Sequence, residues 1–590
     1  MKGPSLPTPE HRTVNDALAA AAATRWGITF VDLHEGETFL SFREIHARAR
    51  RAAGVLRHAG VSAGDRVALV FPTSPAFMDA YFGVLLAGAV AVPLYPPFRL
   101  GRLPEYHAAT ARMIGTADAC LVLTGVRTRK LLGQAIERSR PRLGCLTLED
   151  VGQGDIGEVE AAVDPEELAL IQFSSGSTAH PKPIALSHRN LMAQLAALKA
   201  LLPPEDLLPQ RGVSWLPLYH DMGLIGCLLL AVYYPGPVVL IPPEHFLARP
   251  ALWLRAIARH RATVSVAPTF GYAVCTKRVR DRDLEGMDLS CWRLAVCGAE
   301  PIPIGTLDAF AQRFAPFGFD ASALRAVYGL AEASLAVTFA PPARPPRAVG
   351  VDPARLAATG KVVDGARRIV SVGTPVPGSE VEVRGARGES LPEREVGRIF
   401  TRGPSVMAGY FRQPEATASA LTEGWLDTGD LGFIADGELH VCGREKDLII
   451  IRGTNHAPQE FEECLDGLEG VRAGCVVALG FLPDGEDGEH LLVLAERAKD
   501  ASGNDGDGGT VELVRRTVVE RTGIRPHTVV MLEPGTLPRT SSGKLRRGEA
   551  LRLYLARELT PPRKAGPAKL SAELARSALA FAKVKFGRGR

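Results

Sequence analysis

The stretch Leu168-Ala169-Leu170-Ile171-Gln172-Phe173-Ser174-Ser175-Gly176-Ser177-Thr178-Ala179-His180-Pro181-Lys182-Pro183-Ile184-Ala185-Leu186 places a hydroxyl-rich loop between two apolar runs. The runs read as strands, Leu168 to Phe173 and Ile184 to Leu186, because both are short, apolar and bounded by Ser, Gly and Pro. Ser174, Ser175, Ser177 and Thr178, with Gly176 as a flexible point, can offer side-chain and backbone donors to phosphate oxygens, and Lys182 adds a positive charge. This is not a Walker loop, which needs Gly, four residues, then Gly-Lys-Ser/Thr; here five residues separate Gly176 from Lys182, and Pro183 follows. Gly543-Lys544 fails the same test, with Pro538 in the first glycine position and Leu545 in place of the hydroxyl. Taken alone, a Ser/Gly/Thr loop is a turn more often than a ligand site.

Around this loop, up to about residue 440, short β-branched runs alternate with helical patterns, the order of layered α/β folds. Val67 to Phe71 reads as a strand, Phe77 to Ala89 as a helix, and Ala91 to Leu94 as a strand broken by Pro96-Pro97. Gly60-Val61-Ser62-Ala63-Gly64 fits the hydrolase GxSxG pattern but precedes a strand instead of joining a strand to a helix, so it reads as a turn. At 590 residues the chain exceeds one hydrophobic core. Its 46% hydrophobic and 23% charged residues are those of a folded globular protein. Nine cysteines without a CxxC pair suggest neither a zinc site nor a disulfide framework, and a reducing compartment, the cytoplasm, is expected. Met1 to Glu10 lacks the charged-then-apolar layout of a signal peptide. Leu224 to Ile241, the most membrane-like stretch, is interrupted by Tyr233, Tyr234 and Pro235-Gly236 and reads as a buried helix turning into a strand, so no transmembrane segment is expected.

After Gly443 the pattern restarts as a compact α+β unit with strand Leu448 to Ile451, a helix near Val511 to Arg521 ended by Gly523, and strand Val529 to Leu532. The expected division is therefore an N-terminal domain over 1–443, a mobile C-terminal domain over 444–558 and a basic tail over 559–590. Pro341 to Arg368, rich in Pro, Ala and Arg, interrupts the first domain, and Asp500 to Gly509 reads as a flexible loop. The net charge of +4 belongs to the tail, which holds eight basic residues against Glu573 alone, and no nucleic-acid partner is expected. Ser571 to Phe586 reads as a solvated helix with Leu574, Ala578, Leu579 and Ala582 on one face, its Lys583 and Lys585 complementing the helix dipole.

The loop at Ser174 to Lys182, Tyr328-Gly329-Leu330-Ala331-Glu332 and Trp425-Leu426-Asp427-Thr428-Gly429-Asp430 together resemble the core motifs of the adenylate-forming superfamily of acyl-CoA synthetases, nonribosomal adenylation domains and luciferases. Trp215-Leu216-Pro217-Leu218-Tyr219-His220-Asp221-Met222-Gly223-Leu224-Ile225-Gly226, Gly298-Ala299-Glu300-Pro301-Ile302 and Leu537-Pro538-Arg539-Thr540-Ser541-Ser542-Gly543-Lys544 resemble the fatty acyl-AMP ligase branch. The similarity spans residues 14 to 555. It implies a fold of layered α/β subdomains with a smaller mobile C-terminal α+β domain, and activation of a fatty acid by ATP with Mg2+, the acyl group then passing to the phosphopantetheine thiol of an acyl carrier protein or carrier domain in polyketide, lipopeptide or other lipid biosynthesis. The insertion at 341–371 and Asn455-His456-Ala457-Pro458-Gln459 resemble features of that branch, with Ala457 where an aromatic is usual. A long-chain acyl-CoA synthetase is the alternative, and a catalytically silent lipid- or nucleotide-binding protein a third reading.

The resemblance also assigns roles. Lys544 is the mobile lysine that bridges the carboxylate and the α-phosphate, Glu332 the magnesium-holding carboxylate, Thr178 a catalytic hydroxyl of the phosphate loop, and His220 a substrate-channel or carboxylate-contacting residue beside a structural or bridging Asp221. Adjacent side chains rarely face each other, so His220 and Asp221 are not expected to pair. A buried core tyrosine is the bland reading of Tyr328, whose flat face the family places against adenine with Gly298, Ala299, Glu300, Pro301 and Gly329. Asp430 corresponds to the ribose-binding carboxylate, Arg444 to its partner, and Lys446 to the hinge whose backbone rotation would swing Lys544 away. Ile225 and Phe270 are candidates for the acyl pocket. Ala179 and Pro183 depart from the superfamily pattern, standing where glycines are usual.

Overall fold

The computed structural model describes residues 1–97, 100–151, 157–174, 181–203, 210–342, 344–451, 454–483, 488–498, 508–540, 543–561 and 567–586. The strand–helix–strand opening expected from the sequence is Arg66–Val70, Pro75–Leu86 and Val90–Leu94. Pro75 starts the helix, where its missing N–H would have had no intrahelical partner. The two strands are parallel, Val67 opposite Ala91 and Leu69 opposite Pro93. They lie inside a seven-stranded sheet whose other members include Ala119–Thr124, Leu168–Phe173 and, at one edge, Pro183–Ser187 followed by Gly409–Tyr410. Leu168–Phe173 and Pro183–Ser187 pair antiparallel, which brings the two ends of the hydroxyl-rich loop together.

A second sheet of nine strands has a parallel centre, including Val264–Ala267, Leu294–Cys297 and Leu324–Gly329. Both sheets and the helices between them share one core, in which Val67, Leu69 and Ala91 of the first sheet and Ile28, Val238 and Leu240 of the second are buried with Phe77, Tyr81 and Leu85 of the intervening helix. Such strands read as continuous apolar runs because both of their faces are covered. The stretch after Leu224 is a buried helix, π-wound over Leu224–Leu229 and α over Leu230–Tyr233, leading into strand Val238–Leu240 as the sequence suggested. Among the described residues no helix is long and apolar enough to cross a membrane.

The C-terminal part carries a three-stranded sheet of Val471–Phe481, His490–Arg497 and Thr528–Leu532 with the helix Gly508–Thr522, after which Gly523 takes a left-handed φ of 73°. The fold is thus mixed α/β, a large N-terminal domain followed by a smaller C-terminal one, as expected.

Two segments differ from the sequence reading. The interruption at Pro341 to Arg368 is more ordered than its composition suggests: Ala348–Val351 and Arg367–Val370 form a hairpin around the helix Pro353–Thr359, which Asp352 caps. Its few apolar residues, Val351, Val362 and Ile369, suffice because they share a small core with Phe433 and Ala435. The tail helix, Pro567–Phe586, is not solvated all round but packs on the helix Gly133–Ser139 of the large domain. The face it buries holds Glu573, Ser577 and Ala580, whereas Leu579 is 64% exposed. Polar complementarity sets that choice: Ser577 Oγ accepts the Gly133 N–H at 2.8 Å, Gln134 donates to Glu573 at 3.1 Å, and the Arg129 guanidinium lies 5.6 Å from the Phe581 ring centre.

Candidate active site

A cleft of roughly 2100 Å³ lies between the large domain and the C-terminal loop that carries Lys544, and most of the residues singled out in the sequence line it. At one end of it the strand ending in Phe173 and the strand beginning at Pro183 are tied by Ser174 N–H to the Lys182 carbonyl at 3.0 Å and by Lys182 N–H to Ser174 Oγ at 3.0 Å. Ser175, Gly176, Ser177 and Thr178 lie outside the described residues. Lys182 Nζ sits 4.4 Å above the ring centre of Tyr410, and the Tyr410 hydroxyl donates to Glu332 Oε1 at 3.1 Å. Burial pushes the Glu332 carboxyl above the usual range, against the pull of its backbone and Tyr410 hydrogen bonds. Tyr410 carried no signal in the sequence because it is distant from both partners along the chain; strand pairing to Ile184 brings it there.

At a second corner, Tyr328, near the end of the strand Leu324–Gly329, donates its hydroxyl to Asp430 Oδ2 at 2.7 Å. Arg444 Nε donates to the other oxygen at 2.9 Å, a contact made because Asp430 and Arg444 are opposed across the antiparallel strands Trp425–Ala435 and Glu438–Arg444. Two donors therefore fix the carboxylate's orientation. Ala299 lies at φ 71°, a strained left-handed conformation for a residue with a side chain. The next residue, Glu300, accepts the Phe270 N–H at 2.7 Å. Burial raises the Glu300 carboxyl, opposed by that bond and by the nearby Lys544 charge. Ala299, Glu300, Pro301 and Gly329 line the cleft; Gly298 lies behind it, where a Cβ would fall 2.6 Å from Val327 Cγ2.

The third corner holds His220, Asp221 and Lys544. Contrary to the expectation that neighbouring side chains would diverge, His220 Nδ1 lies 2.5 Å from Asp221 Oδ1. The extended backbone of His220, φ −115° and ψ 141°, turns there into a short helix whose Met222 N–H donates to the same Asp221 oxygen at 2.7 Å. The Met222 N–H also lies 3.3 Å from His220 Nδ1, so it is shared between the two side chains, with Asp221 the nearer acceptor. Burial works against ionisation of Asp221, yet His220, Lys544 and the Met222 N–H together outweigh it and hold its carboxyl below the usual range. Lys544 is held by a tight turn in which its N–H donates to Thr540 Oγ1 at 3.0 Å and its carbonyl accepts the Thr540 N–H at 2.8 Å. Burial lowers its ammonium pKa, while Asp221, Glu300 and Asp430 all act in the opposite direction. Lys446, in the turn Glu445–Asp447 between the two domains, also lines the cleft, its pKa lowered by burial and then by Arg444.

From this corner an apolar arm runs past Trp215, Phe270, Gly226, Leu230, Val266 and Leu335. Phe270 lines it, edge-on to Trp215 at 5.5 Å between ring centres. Ile225 does not: it is fully buried in the inter-sheet core, and its neighbour Gly226 faces the arm. Buried apolar residues look alike in sequence whichever way they face.

Hydroxyl-rich strand turn, paired carboxylate and phenol, and lysine-bearing C-terminal loop are together those of an adenylate-forming enzyme. The sequence matches the family of AMP-binding enzymes over residues 18–411. It is 38% identical over 558 residues to a protein of Caulobacter vibrioides described as an acyl-CoA synthetase, covering 92% of this chain and 95% of the relative. It is 32% identical over 568 residues to the long-chain-fatty-acid–AMP ligase FadD32 of Mycolicibacterium smegmatis, covering 88% and 89%. A structure from work on fatty acyl-adenylate ligases of E. coli and L. pneumophila superposes with a TM-score of 0.87 at 35% identity, over 93% of this chain and 99% of that one. The chain belongs to the AMP-binding enzyme family, in the adenylate-forming superfamily that its motifs resemble.

Proposed function

We propose that this enzyme joins a fatty acid to the α-phosphate of ATP, releasing pyrophosphate, and then passes the acyl group to the phosphopantetheine thiol of a carrier protein. The observation that carries the reading is the convergence of Lys544 with Asp221, Glu300 and Asp430 in one cleft, at the mouth of an apolar arm. Asp430, steadied by Tyr328 and Arg444, accepts hydrogen bonds from the ribose hydroxyls, and the Tyr328 ring offers a face to adenine. Lys182 and the Ser174 to Thr178 loop take the phosphates. The fatty acid lies in the arm past Phe270, with its carboxylate near His220 and Lys544. Lys544 draws carboxylate and α-phosphate together as the new P–O bond forms and the bond to pyrophosphate breaks, the condition under which a fixed cation contributes most.

Magnesium fits this site as a passenger of the triphosphate. Among the described residues no group of three or more His, Cys, Asp or Glu side chains could hold a metal ion, and Glu332 supplies the single carboxylate that such a cation needs besides phosphate and water. When bound it neutralises charge on the phosphates that leave.

For the second half-reaction, rotation about Lys446 withdraws Lys544, the thiol attacks the acyl carbon and AMP departs. The insertion hairpin supports a carrier acceptor over free coenzyme A, because it bridges the domains: Arg367 lies 3.6 Å from Glu463, and its helix touches the strand Thr454–His456. Such a brace restricts rotation. The scattered cysteines support a cytoplasmic setting.

Pyrophosphate exchange with a panel of fatty acids tests the first half. Wild type exchanges, and Lys544→Ala loses about 10²- to 10³-fold, the effect of removing one preorganised charge-stabilising group. Equal rates in both overturn the proposal. Offering coenzyme A and a phosphopantetheinylated carrier side by side decides the acceptor.

A further inference from the structure

We infer that Tyr410 is a positioning residue for phosphate and magnesium, holding Glu332 with its hydroxyl and Lys182 with its ring face. The inference rests on the proposed roles of Glu332 and Lys182 and adds the group that fixes their separation. Nothing in the motifs of the sequence assigned Tyr410 a part.

The geometry is built from independent restraints. Tyr410 lies opposite Ile184 in antiparallel pairing, two residues past Lys182, and the Phe411 N–H donates to the Pro183 carbonyl at 2.8 Å. That fixes the ring beside the exit of the phosphate loop. The chain leading to it is pinned from the other side: Met407 N–H donates to the Glu332 carbonyl at 2.8 Å, and Ser334 Oγ to the Ser405 carbonyl at 2.6 Å. Asn190 adds a third restraint through its side-chain amide, which reaches the carbonyls of Pro404 and Val406 at 2.8 and 3.0 Å. The segment is thus fastened to the loop exit and to the Glu332 turn together.

Tyr410 is only 7% exposed, with its hydroxyl 3.1 Å from Glu332 Oε1 and its ring centre 4.4 Å from Lys182 Nζ. One rigid side chain spans an anion and a cation that would otherwise be drawn into direct contact. An ammonium over an aromatic face keeps its charge available, since the ring contributes only a quadrupole. A carboxylate taking two neutral hydrogen bonds, from the Tyr410 hydroxyl and from backbone, keeps its remaining lone pairs for a cation. Separating the two charges with a phenol leaves both for the ligand, where a Lys182–Glu332 ion pair would neutralise them against each other.

Tyr410→Phe and Tyr410→Leu separate the two contacts. The probe is α,β-methylene-ATP, which cannot release pyrophosphate, titrated calorimetrically with Mg2+ and with EDTA; AMP is the control. Tyr410→Phe is expected to raise the Mg2+ concentration for half-maximal analogue binding about 10-fold while binding in EDTA and AMP affinity stay at wild-type values. Tyr410→Leu is expected to weaken binding in EDTA as well, because Lys182 loses its platform. A Tyr410→Phe protein with wild-type Mg2+ dependence overturns the inference, as does a uniform loss of AMP and analogue binding with a lowered melting temperature. If Tyr410→Leu does not fold, Tyr410→Phe decides alone. Failure of wild type to form any adenylate would sink the proposed reaction instead, and these binding measurements would still read Tyr410.

Discussion

Replacing Tyr328 by Phe removes one hydroxyl and keeps the flat ring. In the native site that hydroxyl gives Asp430 Oδ2 a 2.7 Å hydrogen bond, with Arg444 Nε on the other oxygen at 2.9 Å. Tyr328 and Asp430 are 9% and 7% exposed, so little solvent is at hand to replace the bond. Without it the carboxylate is free to turn both oxygens toward the guanidinium, and the ribose proposed to bind there must undo that arrangement. Hydrogen bonds to charged groups contribute about 1.5–3 kcal/mol. With Arg444 retained the low end applies, and about 1.5 kcal/mol weakens AMP roughly 12-fold. Calorimetric titration of AMP into wild type, Tyr328→Phe, Asp430→Ala and the double variant isolates the coupling. Tyr328→Phe should cost little once Asp430 is absent. An AMP affinity within twofold of wild type in the single variant, or equal losses in both backgrounds, would refute the reasoning.

Two further outcomes follow from groups outside the cleft. Burial pushes the His188 imidazole from 6.5 down to about 4 while its Nδ1 accepts the Val14 N–H at 3.1 Å, so between these values the unfolded chain takes up a proton that the folded chain refuses. Its contribution is complete above pH 6.5 and falls with acidification by up to about 1.4 kcal/mol per pH unit, so the denaturant midpoint should fall with pH across that window and His188→Asn should flatten the dependence. In Gly133→Val the new Cβ would stand 2.1 Å from the Ser577 carbonyl oxygen, so the tail helix must lift off. The two hydrogen bonds it loses, about 2 kcal/mol together, predict roughly 30-fold faster tryptic cleavage at Arg576; an unchanged rate would show that the contact does not hold the helix down.

The sequence by itself determined the layered α/β architecture and the strands that flank the hydroxyl-rich loop, because those signals are local: strand period and turn chemistry. Tyr328, Glu332, Asp430 and Lys544 were singled out by the resemblance of their motifs to a known superfamily, not by any local physical signal of their own. Which apolar residue faces the cleft was decided only in three dimensions, where the π-wound helix turns Gly226 to the arm and Ile225 to the core. The same holds for Tyr410, whose partners lie 78 residues away at Glu332 and across a sheet edge at Lys182. The tail helix repeats the lesson. Its hydrophobic pattern pointed to Leu579, but the surface that buries it is the small, polar Gly133–Gln134 corner of another helix, and only a packed neighbour defines which face of a weakly amphipathic helix is the inner one.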